Sequence, residues 1–379
     1  MAQSYTHRPT HAVVNLGHYR YNLRAIQKRI GKKRGIIAVV KAQAYGHGML
    51  ECARAALEEG IRWLGVATVD EALTLRQQPE FTSTRILVMG PTFPADAEDL
   101  VQNRIDVAVG TVAVARALDK ASQTLKPPAH AHLKIDTGMG RFGFWHEELP
   151  AILKTLRGLH AISWQALMTH FSESDIRSKT YTRWQIANFE RVVKRCADAG
   201  FKPAILHAAN SGAILQHPAA YYDLVRPGIM SYGMLPDIQT QRTIPIKPVI
   251  TLLTRIINVR EYPAGRYLSY GRTYQTKRSS RIGILPLGYG DGYPRHLSNC
   301  GYVMTHGKRA PVRGRVCMDQ VLIDITQIPE AHVGSEVVVY GRKGANYVPI
   351  EDVARLAGTI TYEITCDITP RVPRVYVGV

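Results

Sequence analysis

The chain has 379 residues, 45% hydrophobic and 21% charged, so it is long enough for two domains with complete cores. It contains no apolar run long enough to span a membrane, and residues 1–9 lack the hydrophobic region of a secretion signal. Its five cysteines are far apart and form no paired motif, which argues against a disulfide framework or a zinc cluster. We therefore expect a cytoplasmic protein with no membrane association and no metal site.

The net charge of +18 is the most unusual bulk property. Nucleic-acid binding would explain such a charge, but the basic residues are dispersed and no nucleic-acid-binding motif or basic tail is present. We expect no nucleic-acid partner, and we interpret the charge as favouring anionic small molecules.

Short apolar stretches alternate with longer amphipathic stretches over the first two thirds of the chain. The apolar stretches cover residues 36–41, 63–67, 86–89, 106–109, 131–135, 165–169, 204–207 and 223–226. Strands that alternate with helices favour a parallel sheet, and eight is the number that closes a TIM (β/α)8 barrel. We expect residues 1–236 to form this barrel and to bind a cofactor. A doubly wound open sheet is the alternative.

The pattern changes after the barrel region. Residues 236–248 contain three prolines and are typical of a linker. Period-two apolar stretches follow, which predict strands at residues 249–259, 281–286, 302–304, 310–316, 320–325 and 336–340. With one short helix near 350–356, residues 237–379 are expected to form a mainly β second domain.

Lys41 ends the first apolar stretch, and so the first expected strand, and precedes a turn that contains Gly46 and Gly48. Burying an ammonium group is costly unless the group is paired or neutralised. The position fits either a lysine whose side chain reaches water or one whose lowered pKa makes it a nucleophile.

Other polar residues follow later barrel strands in the same way. They are Asp136 to Arg141 after the fifth strand, His170 after the sixth, Asn210 to Gly212 after the seventh and Arg226 after the eighth. The carboxyl ends of barrel strands form one rim, where barrel enzymes hold their active sites. Core packing does not account for this joint placement, so we expect a functional site on that rim.

The loop after the eighth strand has the features of an anion site. Gly228 allows backbone N–H groups to approach a ligand, and loops seven and eight of TIM barrels commonly bind phosphate. A phosphate held there with a lysine at the first strand suggests pyridoxal phosphate bound as a Schiff base. The alternative is a barrel that binds another phosphorylated substrate.

Arg226 bears on the reaction type. If it faces the pyridine nitrogen, its positive charge keeps that nitrogen unprotonated and weakens the cofactor as an electron sink. Such a site favours racemisation over transamination. Racemisation requires proton-transfer groups on opposite faces of the Cα, of which Lys41 can be one.

Several long motifs carry a family resemblance. They are AVVKAQAYGHG (38–48), HLKIDTGMGR (132–141), VRPGI (225–229), SYGRTY (269–274), LGYGDG (287–292), GRVCMD (314–319) and TYE (361–363). In this order they make the chain resemble the alanine racemases of the pyridoxal-phosphate-dependent barrel class over nearly its whole length. The resemblance implies interconversion of L-alanine and D-alanine, which supplies D-alanine for cell-wall peptidoglycan.

The resemblance also implies two catalytic bases. Lys41 binds the cofactor and is one base, whereas Tyr270 is the opposing base and is supplied by the partner subunit of a homodimer. Arg141 and the backbone of Met318 bind the substrate carboxylate. The residues implied for cofactor binding are Lys41, Tyr45, His170, Ser211, Arg226, Gly228, Ile229 and Tyr362. His207 joins His170 in the network around Arg226, and Tyr289 lies on the approach to the site.

Two positions remain open. In the family, the lysine that matches Lys134 can be carbamylated, which turns a cation into an anion that orients Arg141. The alternative for Lys134 is an ordinary ion pair, for instance with Asp136. Gln43 stands where the family usually has asparagine, which affects the geometry of the Lys41 loop without removing a catalytic group.

Three other functions fit part of the pattern. A racemase of different specificity would share every motif. A non-catalytic pyridoxal-phosphate carrier would need only the barrel, whereas here about 140 residues follow it. A decarboxylase of the same plan would place an acidic group at the pyridine nitrogen, and Arg226 argues against that.

Overall fold

The structure is a computed structural model that describes residues 7–237 and 240–379. Residues 1–6 and 238–239 lie outside the described residues, and with them most of the polar N-terminus and two positions of the expected linker. No helix in the described ranges combines the length and the apolarity that crossing a membrane would require.

The first part of the chain alternates strands and helices. Its strands are β1 (His11–Asn15), β2 (Gly35–Val39), β3 (Trp63–Val66), β4 (Arg85–Val88), β5 (Asp106–Val109), β6 (Ala129–Asp136), β7 (Phe144–Trp145), β8 (Ile162–Met168), β9 (Ile205–His207) and β10 (Leu224–Val225). Its helices are α1 (Leu16–Ile30), α2 (Lys41–Tyr45), α3 (Met49–Glu58), α4 (Val69–Arg76), α5 (Ala97–Gln102), α6 (Val112–Leu125), α7 (Leu149–Leu156), α8 (Thr180–Asp198) and α9 (Ser211–Gln216).

Eight of these strands close into a parallel barrel. The pairing order is β5-β4-β3-β2-β10-β9-β8-β6, and β5 also pairs with β6, which completes the ring. The strands are apolar and largely buried because helices cover them outside and side chains fill the interior. The predicted TIM barrel is confirmed, and the open-sheet alternative is wrong.

Local sequence signals set the helix starts. The Asn15 side chain accepts a hydrogen bond from the His18 N–H and caps α1. Thr68 and Glu71 form a capping box at the start of α4. The second of these caps fixes where the chain turns after barrel strand β3, and so it shapes one loop at the carboxyl rim.

The second domain is mainly β, as predicted. Its elements are β11 (Ile250–Arg255), β12 (Asn258–Tyr262), β13 (Tyr267–Leu268), β14 (Tyr274–Gln275), β15 (Ser280–Leu285), β16 (Tyr302–Thr305), β17 (Lys308–Pro311), β18 (Val321–Asp324), β19 (Glu336–Lys343), β20 (Asn346–Val348), α10 (Ile350–Ala357), α11 (Thr361–Cys366) and β21 (Arg374–Val377). The single strand expected at 249–259 is wrong. It is two strands in different sheets, because Ile256 bonds to the Ser335 carbonyl and Ile257 to the Ile284 carbonyl.

The N-terminal strand belongs to the sheet of the second domain. Strand β1 pairs antiparallel with β11 and parallel with β21. Next to it, the Arg8 guanidinium bonds to both carboxylate oxygens of the buried Asp291, at 2.5 and 2.6 Å. The division of the chain at residue 236 does not anticipate this pairing, which ties the start of the chain to its end.

Candidate active site

The carboxyl rim of the barrel surrounds a cavity of about 550 Å³. The predicted site residues that line it are Lys41, Tyr45, Lys134, Arg141, His170, Ser211, Arg226, Gly228, Ile229 and Tyr362. Tyr362 reaches it from α11 of the second domain, so both domains of one chain form the wall. Tyr270 and Met318 are not among the lining residues.

Lys41 is not a strand residue, which corrects the expectation that it ends the first strand. Strand β2 stops at Val39, and Lys41 opens the short turn α2. Residues 42–45 all have φ between +50° and +55°. Four consecutive left-handed residues, none of them glycine, are unusual because each costs roughly 1–2 kcal/mol. Such a turn persists only where surrounding contacts fix it.

The contacts that fix the turn are on three sides. Within it, the Ala44 N–H donates to the Val40 carbonyl at 2.8 Å. From α4, the Glu71 carboxylate accepts the Ala42 N–H at 2.6 Å. On the α11 side, the backbone approaches so closely that a Cβ on Gly46 would overlap the Thr365 carbonyl. Lys41 is thereby carried on a segment with little freedom to move.

The charge state of Lys41 is shifted. Burial lowers its pKa, and the nearby Arg141 cation lowers it further. Glu71 acts in the opposite direction. A lysine with a lowered pKa has a larger neutral fraction, which is the nucleophilic form.

Small and hydroxyl-bearing residues line the side of the cavity formed by loops seven and eight. The Ser211 Oγ accepts the Gly228 N–H at 3.0 Å, which joins the two loops. A Cβ on Gly228 would overlap the Tyr45 hydroxyl, so only glycine fits there. The rings of Tyr45 and Tyr362 are 5.9 Å apart. Burial raises the pKa of both tyrosines, so their hydroxyls stay protonated and can donate to an anion.

Arg226 is buried and bonded to neutral acceptors. Its guanidinium donates to the Thr169 carbonyl at 2.6 Å, to the Ala208 carbonyl at 2.8 Å and to Nδ1 of His207 at 2.7 Å. Nδ1 of His170 lies 3.5 Å away. Burial lowers the pKa of Arg226 to about 9, which leaves it cationic at neutral pH. The same burial and the Arg226 charge hold the pKa of His170 and His207 well below the usual range.

A buried chain of polar side chains continues from Arg226 through the barrel. Nε2 of His207 lies 2.9 Å from Nδ1 of His132, and Nε2 of His132 faces the Asp106 carboxylate at 3.5 Å. The Arg85 Nε donates to Asp106 at 2.9 Å. Because His207 Nδ1 must accept from Arg226, its Nε2 carries the proton, and by the same argument His132 is protonated on Nε2. This series of hydrogen bonds therefore assigns the tautomers of His207 and His132.

Sequence reasoning missed His132, Asp106, Arg85 and Glu71. A charged or imidazole side chain inside a buried strand is a usable signal, and both His132 and Asp106 are fully buried in barrel strands. The Thr68 and Glu71 spacing is a visible capping-box signature. Neither signal reveals the partner, because each contact joins elements that are distant in sequence.

Lys134 does not form the expected alternative ion pair. The Asp136 carboxylate instead accepts the backbone N–H groups of Gly138, Met139 and Arg141, at 2.7 to 3.0 Å. Within the described residues, the Lys134 amine has one acceptor, the Ile135 carbonyl, at 3.5 Å. Burial, with Arg226 next, lowers the pKa of Lys134 to about 7. About half of this amine is therefore neutral at physiological pH.

The second-domain residues Tyr270 and Met318 point to solvent in the single chain. Their exposed fractions are 70% and 51%. Ser269 precedes the tyrosine with a φ of +63°, and its hydroxyl donates to the Arg315 carbonyl at 2.6 Å. The structure thus presents Tyr270 on an anchored turn, away from its own chain's cavity.

Comparison with known proteins agrees with this architecture. The family model described as alanine racemase, N-terminal domain, matches residues 14–236, and that of the C-terminal domain matches residues 249–376. The chain belongs to the alanine racemase family. The predicted resemblance is confirmed, and since the family is one of pyridoxal-phosphate-dependent isomerases, the chain is an isomerase.

Individual relatives cover nearly the full length. The chain is 41% identical to the alanine racemase of Halothermothrix orenii over 97% of both chains, and 42% identical to that of Symbiobacterium thermophilum over 98% of both. The solved structure of the Clostridium difficile alanine racemase aligns with a TM-score of 0.92 at 35% identity, over 97% of this chain and 96% of that one. These similarities support alanine racemase activity.

The left-handed turn gives Gln43 a testable effect. Asparagine occupies left-handed conformations several-fold more readily than glutamine, which corresponds to roughly 0.5–1 kcal/mol. Gln43→Asn should therefore raise the melting temperature by roughly 1–2 °C, measured by thermal denaturation at matched cofactor content. Gln102→Asn, at an exposed position in a right-handed helix, should not raise it. A lower melting temperature for Gln43→Asn would contradict this account of the turn.

Proposed function

We propose that this protein interconverts L-alanine and D-alanine at a pyridoxal phosphate site, by a two-base mechanism, and supplies D-alanine for peptidoglycan. The observation that carries the proposal is the placement of Lys41, with its lowered pKa, in the same cavity as the Gly228 and Ser211 loops and the buried Arg226. When bound, the cofactor supplies an electron sink that makes the amino acid's Cα proton acidic.

The donor set fits this cofactor. The phosphate would be held by Tyr45, Ser211, Gly228, Ile229 and Tyr362, where hydroxyl donors meet a backbone approach that only glycine allows. Lys41 would supply the amine that holds the cofactor through its aldehyde group. Arg226 would face the pyridine nitrogen as a cation, which keeps that nitrogen free of a proton.

The two proton-transfer groups lie on different subunits in this proposal. Lys41 serves one face of the Cα, and Tyr270 of the partner subunit serves the other. Residues 237–379 of each chain would complete the site of its partner in a homodimer. Two observations support this arrangement. Tyr270 does not line the cavity of its own chain, and it is strongly exposed on an anchored turn.

Arg141 lines the cavity and is suited to the substrate carboxylate, with the backbone of Met318 as a second contact. Lys134 lies beside it with a pKa near 7, so its neutral amine can add to carbon dioxide and lose one proton to give a carbamate. That anion would neutralise a buried cation and orient Arg141. Incorporation of ¹³C from labelled bicarbonate, seen by NMR in wild type and lost in Lys134→Gln, is the measurement that decides it.

The cofactor and the reaction can be tested together. The purified protein should racemise alanine in both directions, and borohydride reduction followed by peptide mapping should place a pyridoxyl group on Lys41. The physical reason is that Lys41 combines a lowered pKa with access to the cavity. Exposed Lys154 is the internal control and should stay unlabelled. Label on another lysine, or none, rejects the assignment.

Shared sites predict complementation between two inactive variants. In a hybrid of Lys41→Ala and Tyr270→Phe, one of the two sites contains both native residues. With free subunit exchange, half the dimers are hybrids, so about a quarter of the wild-type activity should return. A mixture of Lys41→Ala and Arg141→Ala should not recover, because both residues line the cavity of the same chain. Demonstrated exchange without recovery in the first mixture would exclude shared sites.

Loss of one base should affect the two enantiomers of alanine differently. Tyr270→Ala should reduce solvent deuterium exchange at the Cα of L-alanine by about 100-fold or more, while Lys41 still supports exchange on D-alanine. The measurement is NMR of each enantiomer in a separate sample, with Tyr347→Ala as a control at an exposed tyrosine. Equal loss for both enantiomers, with cofactor bound, would require a mechanism other than two bases.

A further inference from the structure

Glu71 makes a contact that helix capping does not require. Its Oε2 accepts the N–H groups of Ala67 at 2.8 Å and Thr68 at 3.3 Å. The Thr68 contact is the one that a capping box makes. Its Oε1 reaches across to the Ala42 N–H at 2.6 Å. One carboxylate therefore joins the loop after β3 to the turn after β2.

The Ala42 N–H belongs to the peptide bond between Lys41 and Ala42. Fixing it fixes the backbone at the residue that carries the reactive amine. The four residues that follow Lys41 are left-handed, so this backbone has no regular helix or strand to hold it. The Glu71 contact is a side-chain hydrogen bond to the N–H of Ala42, the first of these left-handed residues, and it comes from the first turn of α4.

The Glu71 carboxylate also contributes to the balance of charges around Lys41. Arg141, from the loop after β6, and Arg226, from the end of β10, both lower the pKa of Lys41. Glu71, from α4, and the Cys366 thiol, from α11, raise it. His170, after β8, is held neutral by its own burial. Among the described groups that act on the pKa of Lys41, Glu71 is the one carboxylate that opposes the two guanidinium groups.

We propose that Glu71 is a positioning residue for Lys41, which holds the turn that carries this lysine and supplies a negative charge that opposes the two nearby guanidinium groups. The proposal rests on the role proposed for Lys41, and it adds a residue that acts through it. Glu71 itself does not line the cavity. Its role as a simple helix cap is the competing explanation.

The test measures Lys41 directly and so does not depend on racemase activity. The full-length chain, freed of bound carbonyl compounds, is acylated briefly between pH 6 and pH 11, and peptide mapping gives the labelled fraction at Lys41. Glu71→Gln keeps the shape and one acceptor but removes the charge. It should lower the pKa of Lys41 by roughly half a unit or more and raise labelling near pH 7.5 about threefold. Glu98→Gln, a carboxylate in the first turn of α5, should leave the titration unchanged.

Glu71→Asp separates geometry from charge. It keeps the charge but shortens the reach, so amide hydrogen exchange across residues 41–47 should become faster than in wild type, with no change in α8. If Glu71→Gln leaves the Lys41 titration unchanged, or if Glu98→Gln shifts it equally, Glu71 is only a helix cap and the proposal fails. If Glu71→Gln does not fold, unchanged exchange in Glu71→Asp overturns the proposal by itself.

Discussion

The buried guanidinium of Arg226 is the constraint on which the rest of the site depends. A cation in the barrel interior needs hydrogen-bond acceptors, and here these include two strand-end carbonyls and an imidazole. Meeting that need fixes the ends of β8, β9 and β10 relative to one another. It also fixes the proton on His207, and through His132 it extends to Asp106 at the opposite end of the barrel. The interior is thus organised by the hydrogen bonds of a buried guanidinium and not by packing alone.

The sequence could predict the rim because barrel topology is simple. Once eight parallel barrel strands are identified, the residues that follow them must lie on the same rim of the barrel. This rule predicts that Arg226, His170 and Ser211 lie together. The local path of Lys41 could not be predicted, since four left-handed residues contradict their own preferences and depend on Glu71 and the α11 backbone. Strand β1 was missed for a related reason. Its alternating pattern is compatible with any sheet, and its partners are more than 200 residues away.

Contacts at the N-terminus and at the cavity wall hold the two domains of one chain together. Strand β1 and the Arg8–Asp291 pair tie the N-terminus to the second domain, and Tyr362 brings that domain to the cavity wall. The same fixed attachment keeps Tyr270 on an outer surface. In the proposed homodimer, a second copy of the chain would supply the opposing tyrosine without an internal change in either chain.

The side chains that line the cavity carry an excess of positive charge. Among the described residues that line it, four bear cationic groups, namely Lys41, Lys134, Arg141 and Arg226, against the single carboxyl of Asp175, whose pKa is raised by burial. Burial, and then this excess of positive charge, lower the pKa of both lysines, and the charge suits ligands that bring a phosphate and a carboxylate. Such anions would stabilise a protonated Lys41, which the free cavity disfavours. In the proposed reaction, the fixed cations would favour the neutral amine of Lys41 before the ligands bind. The anionic ligands would then favour the protonated amine, which is the form that can deliver a proton.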